Sequence, residues 1–159
     1  MTTKNDFPAE DWSRVVRAPF VAGMAISLAD PGGPFEAAKE SMAAMKSATN
    51  PPSREPLLAD VALDVQAMVQ QRHNPLQGFR PNTGAPVGTQ VLDELRAVQS
   101  IVAAKATAEE ADAFGRWMVA TAQAAADAAK EGGFMGFGAE QVSQGEQSML
   151  DQVRAAVSG

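Results

Sequence analysis

At 159 residues and 16.6 kDa, with 45% hydrophobic and 20% charged side chains, the chain has the size and balance of one globular domain. Thirteen basic against nineteen acidic residues leave a net charge of −6, which argues against a general nucleic-acid binder, whose affinity rests on surplus Lys and Arg facing phosphate. The lack of cysteine excludes disulfides, thiolate catalysis, zinc fingers and iron–sulfur clusters, and a single histidine excludes nearly every histidine-based metal site.

The opening Met1-Thr2-Thr3-Lys4-Asn5-Asp6 is polar, with no apolar run behind it to act as a secretory signal, so the expected compartment is cytoplasmic. Residues 1–10 are expected to be a flexible lead-in to a single helical domain over 11–159. The greasiest stretch, Ala18 to Ala29, is shorter than the roughly 20 apolar residues a membrane span needs. It reads as a core helix.

Proline and glycine punctuation divides the rest into five or six helices. The first is expected from about Asp11 to Ala29. Its back half, from Phe20 to Leu28, is apolar on every side, the pattern of a helix buried all round. Pro19 lacks an amide hydrogen and clashes with the preceding turn, so it is expected to kink or split this helix. After Asp30-Pro31-Gly32-Gly33, Pro34 suits the first position of a second helix that Asn50-Pro51-Pro52 stops. A third opens near Pro56 and runs to Arg72, with Leu57, Leu58, Val61, Val65 and Met68 in one arc. The stretch from His73 to Gly88 is irregular and longer than ordinary connections, which places it in the functional or mobile class.

A fourth helix is expected from Thr89 to about Ala104. The fifth carries the clearest signals: a capping box, Thr107-Ala108-Glu109-Glu110, at its start and Gly132-Gly133 at its end. Phe114, Met118, Val119 and Ala122 form one face, and Ala113, Trp117, Ala120, Ala124 and Ala128 a second. Asp112, Arg116, Asp127 and Lys130 fill a narrow stripe between them. Such a helix is packed on two sides, so it is placed at the centre of the fold. Ser143-Gln144-Gly145-Glu146 caps a last helix. No stretch reads as a strand, and the fold class is an all-α, single-domain bundle of five to six helices around a central, two-sided fifth helix.

The search for chemistry is mostly negative. His73 follows Gln70 by three positions, so the Glu-x-x-His pairs of di-iron bundles are absent. No calcium loop, nucleophile elbow, phosphate-binding loop or dinucleotide fingerprint occurs. Asp60 and Asp64 are spaced to share a metal or a proton, but they lie opposite the apolar arc and are expected to face water. His73 beside Arg72 at a helix end suits the helix dipole better than catalysis. No metal site and no cofactor is expected.

Two loops remain. Between Asp64 and Asp93 there is no acidic residue, while Arg72, His73 and Arg80 are present, a local patch suited to an anionic group or acidic partner. Gly133 to Gly138 alternates glycine with Phe134, Met135 and Phe137, the composition of an apolar binding loop. The reading that follows is a non-enzymatic interaction or adaptor protein that binds another protein or itself. Arg72, Phe79, Arg80, Phe134 and Phe137 would touch the partner, and Trp117, Ala120 and Ala124 would supply a helical interface. The alternative is a bundle with an apolar cavity for a small ligand, lined by the Phe20–Leu28 helix and the Phe134–Phe137 loop, with Arg80 orienting any acidic head group. An enzyme working through carboxylates and arginine alone ranks third.

Overall fold

A computed structural model describes residues 1–29, 32–130 and 142–158, with Lys130 described by its backbone alone. Among these residues there are six α-helices and no strand: α1 (Ala9–Ala29), α2 (Pro34–Ala48), α3 (Pro56–Gln70), α4 (Val87–Lys105), α5 (Ala108–Lys130) and α6 (Gln144–Val157). A single 3-10 turn, Lys4–Asp6, precedes them. The bundle is all-α, as its punctuation predicts.

The helices start where the sequence offers a start. Pro34 and Pro56 occupy the first turns of α2 and α3. At α5, the Glu110 carboxylate accepts the Thr107 amide at 2.9 Å while the Thr107 hydroxyl accepts the Glu110 amide at 3.2 Å. Ser143 and Glu146 repeat this exchange at α6. Pro19 does not split α1, which runs unbroken through it, and Pro19 is itself buried.

Two helices organise the core. α1 packs against every other α-helix, and α5 packs against α1, α2, α4 and α6. The fully enclosed part of α1 begins earlier than its composition suggests: every residue from Val15 to Gly23 is buried, while Leu28 lies at the surface. At Gly23 α2 comes so close that an added Cβ would sit 2.7 Å from the Cβ of Ala44, which is why that position carries no side chain. On α5, Phe114, Trp117, Met118, Ala122, Ala125 and Ala126 are buried, while Asp112 and Arg116 pair along the outer stripe at 2.9 Å. Among the described elements α3 packs chiefly on α1, with lighter contact to α2 and the 3-10 turn. Its shallow seat leaves a cleft beside α1.

Within residues 1–10, expected to be a flexible lead-in, Thr2, Lys4 and Phe7 contact the bundle. Thr2 is buried: its hydroxyl donates to Glu110 at 2.6 Å and its amide at 2.9 Å. The Lys4 amide donates to Asp60 at 2.9 Å and its ammonium reaches Asp64 at 2.7 Å. Phe7 is buried against Trp12, ring centroids 5.4 Å apart. These donors hold the Glu110 carboxyl far below its ordinary range, at about 2, with the Thr2 hydroxyl first and the Thr2 and Thr107 amides next.

A depressed carboxylate stabilises the fold fully above its unfolded value and less as pH falls through its folded one. Acidification from about pH 5 to pH 2 should therefore remove roughly 3 kcal/mol contributed by this tether. Glu110→Gln should be less stable at pH 7 and show a flatter acid limb in urea melts taken across that range. An acid limb as steep as that of the wild type would show that the tether contributes nothing.

Candidate functional site

A cleft opens between α1, α3 and the N-terminal segment. It has a volume of about 630 Å³ and walls of Phe7, Trp12, Val16, Ala67 and Met68, and the start of the α3–α4 connection closes one end with His73, Pro75 and Gln77. That size and apolar lining are those of a small-molecule site. Four chain segments meet here, each held by its own chemistry.

The N-terminal segment is fixed by Asp60 and Asp64. Asp64 also accepts the Trp12 indole N–H at 2.7 Å, which pins the ring that forms one wall. Burial alone would raise the Asp64 carboxyl, but the Lys4 ammonium and the indole N–H outweigh it and hold it below the ordinary range. The two carboxylates therefore do not simply face water; they are the anchor of the neighbouring segment. His73 reaches the cleft because α3 ends in a reversal at Arg72, whose φ of +56° is the left-handed conformation. The Arg72 amide donates to the Val69 carbonyl and the His73 amide to the Met68 carbonyl, both at 3.0 Å, the pair of bonds that closes a helix C-terminus around a left-handed residue.

The α3–α4 connection is tied down along its length. Asn74 accepts the Leu76 amide at 3.0 Å, and Gln90 exchanges bonds with both backbone groups of Asn82 at 2.8 Å. Leu76 and Phe79 are half-buried against the core.

Beneath this loop lies Arg17, whose relative exposure is 8%. Its guanidinium donates to the Gln77 carbonyl at 3.0 Å and stands 3.5 Å from Glu94, a carboxylate already engaged by both Nε (3.0 Å) and Nη2 (2.8 Å) of Arg14. Two guanidinium groups thus share one carboxylate. The Arg17 Nε–H is buried and meets no acceptor among the described residues. Gly78, at φ +94°, packs on the end of the Arg17 side chain; a Cβ there would sit 2.6 Å from Arg17 Nη1, and the left-handed backbone itself favours glycine. Arg17 lines the apolar cleft on one side and, on the other, a polar hollow of about 670 Å³ that includes Arg14, Phe79, Arg80 and Glu94.

The residues singled out from the sequence fall in different places. Phe79 and Arg80 share the polar hollow with Arg17. Arg72 is exposed and lines neither hollow; its contribution is the turn that places His73. Phe134 and Phe137 lie outside the described residues. Trp117 is 1% exposed and lies inside the fold, its indole N–H donating to the Ser47 carbonyl at 3.0 Å, so it has almost no surface to offer a second chain. Ala120 is exposed on the charged stripe of α5, and Ala124 is half-buried. Sequence reasoning missed Trp12, Asp64 and Arg17 as site residues. Of these, Arg17 carried a signal: a charge inside an apolar run that the fold was bound to enclose.

A further hollow of about 810 Å³ between α4, α5 and the end of α6 is half lined by alanine, and its charges, Arg96 and Asp112, are already paired with Asp93 and Arg116. No group of three or more acidic or histidine side chains able to hold a metal occurs among the described residues, and none of their helices is long and apolar enough to cross a membrane. Comparison with known protein families, with curated proteins and with solved structures finds no match for this chain.

Proposed function

We propose that the protein is a non-enzymatic binding domain that holds a small, largely apolar molecule in the cleft between its N-terminal segment, α1 and α3. The observation that carries this reading is the cleft itself: about 630 Å³, walled by Phe7, Trp12, Val16 and Met68, with its aromatic wall fixed by the Trp12–Asp64 bond. Burying an apolar ligand there gains about 0.8 kcal/mol per methylene group removed from water. The test uses the neutral fluorophore N-phenyl-1-naphthylamine. It should bind with one-site stoichiometry, and Ala67→Trp, which fills the cleft from a half-buried wall position, should abolish binding while leaving the helical circular dichroism spectrum unchanged. Equal binding by Ala67→Trp would place any ligand elsewhere.

A second reading, a protein partner or a second copy of the chain, is favoured by a different surface from the one the sequence suggests. Phe35, Met42 and Leu63 are exposed by 72%, 70% and 60%, unusually open for large apolar side chains, on α2 and α3. Native mass spectrometry separates the readings: a retained small mass on a monomer supports the cleft, and a dimer free of ligand supports the surface.

A further inference from the structure

The cleft contains one polar group that its apolar walls do not explain. Arg17 is enclosed, yet its donors are only partly met. Glu94 is its sole carboxylate contact among the described residues, at 3.5 Å, and Glu94 is held more tightly by Arg14 at 2.8 and 3.0 Å. The Arg14, Arg17 and Glu94 ion pairs set two guanidinium groups against one carboxylate, with Glu10 and Asp11 acting on Arg14 from further off. A buried guanidinium normally satisfies its donors, and the Arg17 Nε–H does not. The other charged or titratable groups lining the cleft are Lys4, Asp64 and His73. Lys4 and Asp64 neutralise each other at 2.7 Å, so among the charged groups lining the cleft Arg17 is the one whose donors are incompletely met.

We infer that the natural ligand is an amphipathic carboxylate whose apolar body lies along Phe7, Trp12 and Met68 and whose carboxylate accepts from the Arg17 guanidinium. This rests on the cleft reading and adds the chemical class of its occupant. A carboxylate would complete the donor set of Arg17 and leave the hydrocarbon against apolar walls. A cation of the same shape would meet the like charge of Arg17. A neutral ligand would leave the Nε–H without an acceptor.

Decanoate and 1-decanol test this directly, since they share an apolar body and differ at the head group. Isothermal titration of the wild-type chain at pH 7.5, below the aggregation concentration of either compound, should show decanoate binding about tenfold or more tightly than decanol, the margin of one charge-assisted hydrogen bond. Arg17→Met should erase that preference, bringing decanoate affinity down to that of decanol for the same variant. Should Arg17→Met fail to fold, the wild-type comparison stands alone, and Arg17→Lys, which retains a charge but lacks Nε–H, should reduce the preference. Equal affinity for acid and alcohol in the wild type, or a preference that survives Arg17→Met, overturns the inference and leaves the cleft reading standing. Binding of neither compound overturns both.

Discussion

Trp117→Ala is expected to destabilise the protein by about 3–5 kcal/mol, the range for deleting a large aromatic from a packed core. Trp117 is 1% exposed, its ring meets Phe114 edge-on at a centroid distance of 6.5 Å, and its N–H is bonded to the carbonyl of Ser47 on α2. Removing it opens a cavity between α5 and α2 and leaves that carbonyl without its indole donor, beside a Ser47–Thr121 hydroxyl pair 2.8 Å apart. The loss should be the same at every protein concentration, because the contact lies within one chain; a concentration-dependent loss would place the indole at a subunit boundary instead. Urea unfolding at two concentrations tests both statements. A cost within about 0.5 kcal/mol, as at ordinary surface positions, would contradict the burial.

Where α-helices begin was legible because the signals are local. Pro34, Pro56, Thr107 with Glu110, and Ser143 with Glu146 each act within one turn, and the observed helices start within two residues of the expected positions. The continuity of α1 through Pro19 was not legible. A proline weakens its own turn, but whether the helix survives depends on packing from the other helices, and α1 is enclosed by all of them. The docked N-terminus was illegible for a similar reason. Thr2 and Glu110 are 108 positions apart, and Lys4 and Asp60 are 56 apart. Nothing in either segment alone announces the pairing.

The site shows the same division. The α3–α4 connection stood out by its length and its lack of acids, and it does supply one end of the cleft through His73, Pro75 and Gln77. Its arginines drew attention because they are conspicuous in a chain of net −6, yet the arginine that lines the cleft is Arg17, in a helix that reads as core. Composition reports exposed charge well, since such residues need no partner. It reports buried charge poorly, since the compensating groups, here Glu94 and the Gln77 carbonyl, come from distant segments. Val15-Val16-Arg17-Ala18-Pro19-Phe20 nonetheless held a usable clue: lysine and arginine are almost never enclosed unless paired.

Glu94→Ala is expected to cost about 3 kcal/mol, near the lower end of the range for removing one member of a buried ion pair, because Arg14 stays partly open to water. The loss is asymmetric. Arg14→Met leaves Glu94 paired with Arg17 and should cost about 1 kcal/mol, the scale of a partly exposed pair. Glu94→Ala leaves Arg17, 8% exposed, with a neutral carbonyl as its only acceptor among the described residues. Urea denaturation at pH 7 distinguishes the two, and equal costs would show that Arg17 does not depend on Glu94. The same variant bears on the ligand. With Glu94 gone Arg17 loses its carboxylate, so decanoate should bind the folded Glu94→Ala protein more tightly than the wild type and raise its melting temperature by a larger increment. Decanol, which carries no charge, should gain nothing from the substitution.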